Sequence, residues 1–170
     1  MLNSCMEKLN GKKIVVAGAT GGIGSSLVKL LVQSGAEVFI TGRNNEKLSN
    51  IAAANGIPPS HFLAVDISDG TQMELLASTV LDQVGTPDIL INLAGIGIIK
   101  PMEQLSLDDF SRSIQTNLVG AFLFVKSFLT AMKEAKKGLI INVPGVLGKV
   151  PMAGAAAYSA SKYGIVGMMQ

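Results

Sequence analysis

Cysteine and histidine are almost absent from this chain: Cys5 and His61 are the single representatives of each among 170 residues. One cysteine forms no intrachain disulfide and one histidine builds no metal cluster, so no metal site is expected, and a reducing, cytoplasmic setting suits the composition. A histidine-based catalytic triad would rest on His61 alone, which sits where a strand begins and reads as structural. Charge is scarce as well. Fourteen Lys and Arg against twelve Asp and Glu leave a net charge of +2, far from the clustered basic surface of a nucleic-acid binder. The leader from Met1 to Asn10 lacks the apolar core of a secretion signal. The longest strongly apolar run, Ile89 to Ile99, is too short to span a bilayer and is interrupted by Asn92, so neither secretion nor membrane insertion is expected.

What is present is core-forming material: 48% of the residues are apolar, with no charge-rich or proline-rich block. This is enough for one domain, read as 13–170 behind a leader of residues 1–12. Lys13 to Gly18 reads as a β-branched strand, Gly22 to Ser34 as a helix with Ile23, Leu27, Leu30 and Leu31 inward, and Gly35 as its stop. Glu37 to Thr41 is a second strand, Asn45 to Asn55 a helix, and His61 to Val65 a third strand. Met73, Leu76, Ala77, Val80 and Val84 line one face of the next helix. Asp88 to Asn92 is a fourth strand, and Leu107 to Ala135 a long helix with Phe110, Ile114, Leu118, Phe122 and Val125 inward. Gly138 to Val143 is a fifth strand, and a last helix starts near Ala155. Strands alternating with helices imply right-handed crossovers and a doubly wound parallel α/β sheet, the Rossmann arrangement. The apolar pattern of the last helix is unfinished at Gln170, so the sheet is expected to be incomplete at its C-terminal edge, an aggregation hazard unless something covers it.

Gly18-x-x-x-Gly22-x-Gly24 follows the first strand and opens the first helix, the context in which a glycine pattern seats a phosphate. Gly18 would allow the tight turn, Gly22 would admit the pyrophosphate and Gly24 would let helix and strand pack. Thr20 lies within the loop, and the N–H groups near Ile23 would point at the anion. The second strand ends in Thr41-Gly42-Arg43, without the acidic residue that a ribose 2′-hydroxyl takes in NAD sites. Arg43, with Lys47 one turn on, suits a 2′-phosphate, which favours NADP(H) over NAD(H).

Tyr158 and Lys162 stand four residues apart, so on a helix they share a face. A phenol is a poor acid–base catalyst at neutral pH without a neighbouring cation, and Lys162 is one. In order and spacing, the glycine loop, Asp66, the Asn92-Leu-Ala-Gly95 turn, Asn117 and Tyr158-x-x-x-Lys162 resemble the short-chain dehydrogenase/reductases, from Lys13 to Gln170. The resemblance implies an NADP(H)-dependent oxidoreductase of the carbonyl reductase or alcohol dehydrogenase type. In it Asp66 holds the adenine with Ile67 beside it, and Asn92, Ala94 and Gly95 shape the wall behind the adenosine ribose. Asn117 supports a proton relay, Tyr158 is the acid or base, and Lys162 binds the nicotinamide ribose. It also implies a small carbonyl or alcohol substrate and a homo-oligomer built on the two last helices, with neither nucleic acid nor membrane as a partner.

The chain departs from that pattern in three places. Where the family carries a serine thirteen residues before the tyrosine, this sequence has Gly145, preceded by Pro144. Leu93 replaces a frequent second asparagine, and family members usually continue for another third of the chain. Losing one preorganised donor to a developing oxyanion costs about 10²- to 10³-fold in rate. Two readings therefore stand side by side: an active reductase, and a dinucleotide-binding remnant without turnover.

Overall fold

A computed structural model describes residues 9–169, so Cys5 and the chain end at Gln170 lie outside the described residues. The β-branched segments become β1 (Lys13–Ala17), β2 (Glu37–Gly42), β3 (Phe62–Ala64), β4 (Ile89–Asn92) and β5 (Leu139–Asn142). All four pairings are parallel, in the order β3-β2-β1-β4-β5. The period-2 alternation of a strand divides β1 between two cores. Ile14 and Val16 pack with Val38, Ile40 and Ile91 beneath helices α1 (Gly22–Gln33) and α2 (Asn45–Asn55). Val15 and Ala17 pack with Phe39 and Leu90 beneath α3 (Gly70–Gln83) and the helix carrying Phe124, Phe128 and Met132. This is the doubly wound α/β sheet. Its order reverses between β1 and β4, the switch point at which a crevice opens beyond the strand ends.

Residues Leu9 to Lys12, expected as leader, are tied into the fold: Leu9 packs on the core, and the Gly11 N–H donates to Gly35 O at 2.9 Å. The third strand is shorter than expected, because His61 belongs to a 3₁₀ turn, Pro59–His61. His61 stacks on Phe39 and lies 3.9 Å from the Glu37 carboxylate.

Two helix faces differ from expectation. In α1 the buried residues are Gly24, Val28 and Leu31, while Ile23 and Leu30 are exposed. The helix meets the loop after β1 at Gly24, where the missing side chain permits close approach. The long helix runs as α4 (Leu107–Ile114), a π-helical turn (Gln115–Val119) and α5 (Gly120–Glu134). Its buried face is Ser113, Asn117, Ala121, Phe124, Phe128 and Met132. Phe110 and Phe122 are exposed, and Ile114, Leu118 and Val125 are half-buried. A π turn takes up an extra residue and rotates the helical turns after it, and polar residues occupy the inward positions before it. Among the described residues this stretch, Leu107–Glu134, is also the one helix long and apolar enough by length and composition to cross a membrane. The run Ile89 to Ile99, by contrast, forms β4 and the loop after it. The last helix, α6 (Ala156–Met168), begins where expected.

Candidate active site

The switch point holds an open cleft lined by Gly18, Gly21, Gly42, Arg43, Ile67, Ala94 and Gly95, among others. The glycine loop makes one wall. Gly18 has φ +79°, and a β-carbon there would come within 2.6 Å of Ala94 N. The N–H groups of Gly18 and Ala19 donate to Thr41 O at 3.0 and 3.1 Å, which pins the loop to β2. A β-carbon at Gly24 would lie 2.2 Å from Gly18 O, so loop and helix meet backbone to backbone. Helix α1 starts with no acidic residue in its first turn, and its first internal acceptor, Gly21 O, is taken by Ser25 N. The N–H groups of Gly22, Ile23 and Gly24 precede that bond and are free for a ligand oxygen. Thr20 packs across the end of β2, its Oγ1 3.2 Å from where a β-carbon on Gly42 would be.

Arg43 is exposed at the cleft rim, whereas Lys47 does not line it. Asp66 does not line the cleft either: its Oδ1 accepts from Ser68 N and Ser68 Oγ at 2.9 and 2.6 Å, shaping its own turn. Ile67 is the neighbour that lines it. Asn92 is buried, with Oδ1 accepting from Ala94 N (3.0 Å) and Nδ2 donating to Asn142 Oδ1 (2.9 Å). It thus locks the turn after β4 to the strand beside it.

Tyr158 and Lys162 share one face of α6, with Nζ 5.5 Å from the centre of the phenol ring. Lys162 is buried, and its Nζ donates to Val143 O at 3.2 Å. Burial, which penalises the ammonium form, pushes its pKa below the usual lysine value. Asn117, in the π turn, is fully buried. Its Oδ1 accepts from Ile96 N (2.8 Å), and its Nδ2 donates to Ile96 O (3.0 Å) and Ser161 Oγ (2.9 Å). The two halves of the site meet at Gly95, which lines the cleft: a β-carbon there would be 3.1 Å from Asn117 Oδ1 and 3.5 Å from Lys162 Nζ.

Gly145 begins the loop after β5 with φ +70° and ψ −176°, a region adopted almost only by glycine. On α6, Ser161 Oγ is engaged by Tyr158 O and Asn117 Nδ2, and the Ser159 hydroxyl is buried without a hydrogen-bond partner. The same loop is held by Gly154 O, which accepts from Lys100 N at 2.7 Å. Sequence reasoning did not assign Gly21, Leu93, Ile96 and Thr116 to the site, although they line the cleft; each adjoins a motif residue, the one signal available for them. It also missed Ser161, whose partner is 44 residues away.

A family model described as short chain dehydrogenase matches residues 12–170. D-threitol dehydrogenase of Mycolicibacterium smegmatis is 34% identical over 95% of this chain and 63% of its own length. A 3-oxoacyl-[acyl-carrier-protein] reductase of Chlamydia pneumoniae is 36% identical over 93% of this chain and 64% of its own. The chain thus spans just under two thirds of these relatives. Among solved structures, an actinorhodin polyketide ketoreductase variant with NADPH superposes with a TM-score of 0.87 at 30% identity, covering 93% of this chain and 62% of that one. A metagenomic short-chain oxidoreductase in complex with NADP gives a TM-score of 0.87 at 35% identity, covering 95% and 74%.

Proposed function

The chain belongs to the short-chain dehydrogenase family, oxidoreductases that bind a nicotinamide dinucleotide, and from that premise we propose that it binds NADP(H) and interconverts a carbonyl compound and its alcohol. The observation that carries this reading is the pair Tyr158 and Lys162 on one helix face, with Lys162 Nζ reaching the cleft wall at Gly95. The cleft fits the cofactor. Free N–H groups at the start of α1 suit a pyrophosphate, and Gly22 has open space where its side chain would be. Arg43 at the rim, with no acid at the end of β2, suits a 2′-phosphate. The NADPH- and NADP-bound neighbours support the same choice. When bound, the nicotinamide supplies the hydride in reduction and takes it back in oxidation.

The chain's own residues handle the proton. In reduction, Tyr158 Oη donates its proton to the carbonyl oxygen as the carbon gains the hydride; in oxidation it accepts that proton back. Lys162 holds positive charge beside the phenol, where negative charge remains, and would bind the nicotinamide ribose. Asn117 ties the cleft wall to α6 and supports the relay that reprotonates the tyrosine. Asp66, Ile67, Asn92 and Ala94 shape the adenosine side. The substrate is a small carbonyl or alcohol.

Thermal shift measurements test the cofactor. NADPH should stabilise the protein more than NADH, and Arg43→Ala should weaken NADPH about tenfold or more while leaving NADH unchanged, the cost of a charge-assisted hydrogen bond. Equal responses to both cofactors in the unmodified chain would refute NADP preference. Tyr158→Phe should retain NADPH binding and lose about 10²-fold or more in turnover with a ketone. A second reading, binding without turnover, is favoured by Gly145, which places no hydroxyl where the family has one. It predicts NADPH stabilisation with reduction at background, and turnover by the unmodified chain refutes it.

A further inference from the structure

The short hydrogen-bond chain behind Lys162 runs in one direction only. The carbonyl of Tyr158 is purely an acceptor, so Ser161 must donate to it, at 2.7 Å. A lone pair of Ser161 Oγ then accepts a hydrogen bond from Asn117 Nδ2, at 2.9 Å. The other Nδ2 proton goes to Ile96 O, and Oδ1 accepts from Ile96 N. Both amide protons are spent, and one lone pair of Oδ1 is left over. That oxygen and Lys162 Nζ come within 3.1 and 3.5 Å of the same point, where a side chain on residue 95 would begin. The network spans three separate parts of the chain: the turn after β4, the π turn and α6.

From this geometry we infer that Ser161 is a positioning residue for the Tyr158–Lys162 pair, locking the Asn117 carboxamide so that its oxygen, and not its amide nitrogen, faces the Gly95 wall that Lys162 Nζ also reaches. Ser161 is fully buried and sits next to Lys162, so the amide proton it accepts has no water to turn to. Without that acceptor the buried N–H is orphaned, and the carboxamide is released from one of its two anchors. A carboxamide oxygen on that wall, in place of an N–H, favours the charged form of Lys162. Tyr158 is the titratable group facing Nζ, and no acidic side chain contributes to the lysine's shift. The role of the pair in catalysis rests on the function proposed above; the orientation of Asn117 toward Lys162 does not.

The test is a titration of Lys162 by NMR in the lysine-labelled full chain, the signal being assigned by its loss in Lys162→Met. Ser161→Ala should move the Lys162 midpoint down by about half a pH unit or more, and NADPH affinity should stay within about twofold. Ser161→Cys, which retains a weak acceptor in the same place, should recover part of the shift; if the alanine variant does not fold, the cysteine variant should show the smaller downward shift alone. A Lys162 midpoint unmoved in a folded Ser161 variant overturns the inference. In a catalytically active chain the pH profile of kcat should shift with the titration. A chain that binds NADPH without turning over refutes the catalytic reading while the titration still decides the role of Ser161.

Discussion

Lys162 shows most clearly how a single residue trades stability for a site. Its ammonium is buried and receives one main-chain acceptor, Val143 O, an incomplete exchange for the water it gave up. A lysine with a lowered folded pKa binds its proton less well in the native than in the unfolded chain. Native stability is therefore penalised below the folded pKa and recovers as pH rises toward the ordinary value of 10.5. Lys162→Met should accordingly raise stability at pH 7 by on the order of 1 kcal/mol, the gain shrinking as pH approaches that value. Denaturant unfolding at several pH values would measure it, and a destabilised variant at pH 7 would contradict it. Gly145 shows the reverse case, a backbone conformation that strains any residue with a side chain. Gly145→Ser should impose strain of about 1–3 kcal/mol, read as lost stability in denaturant unfolding.

At the scale of elements, the strands are fastened at both ends by polar side chains that periodicity does not reveal. At the start of β4, Asp88 accepts from Lys13 N at 3.0 Å and from Lys137 Nζ at 2.9 Å, and its own backbone pairs with Lys13 and Leu139. Three adjacent strands meet on this one residue. Burial raises the carboxyl's pKa, but the Lys13 N–H and the Lys137 ammonium outweigh it and hold the group below the ordinary carboxylate value of 3.8. Asp88→Asn should cost about 1–3 kcal/mol at neutral pH. Because the folded pKa is depressed, the wild-type advantage should be complete above the ordinary value and vanish as pH falls through the folded one. Unfolding curves of both proteins between pH 7 and pH 2 would check this. The helix α3 face was legible in the sequence, since Met73, Leu76, Ala77 and Val80 are all buried. The α4–α5 face was not, because the inward positions went to Ser113 and Asn117 and a π turn shifted the register.

At the scale of the whole described fold, β5 forms one margin of the five-strand sheet. Strand β5 pairs with β4 on one side, and Leu139, Ile141 and Val143 are all more than a third exposed along it. Unpaired strand edges that carry apolar side chains template association. Light scattering should show the described fold associating as concentration rises, and Ile141→Lys should suppress this while changing stability by less than about 0.5 kcal/mol. Unchanged association in the lysine variant would place the sticky surface elsewhere, with the exposed face of α4–α5 that carries Phe110 and Phe122 the next to test.

The sequence by itself determined the fold class, the strand sequence along the chain, the glycine loop and the Tyr158–Lys162 pair, because each obeys local rules: period-2 and period-3.6 burial, glycine at a strand-to-helix turn, and two side chains one helical turn apart. Only the tertiary structure decided which face of the long helix turns inward, that Asp66 Oδ1 is engaged by Ser68, and that Ser161 reaches Asn117. Those outcomes depend on hydrogen-bond partners tens of residues apart in the chain, and on a buried polar group's need for a partner wherever the fold supplies one.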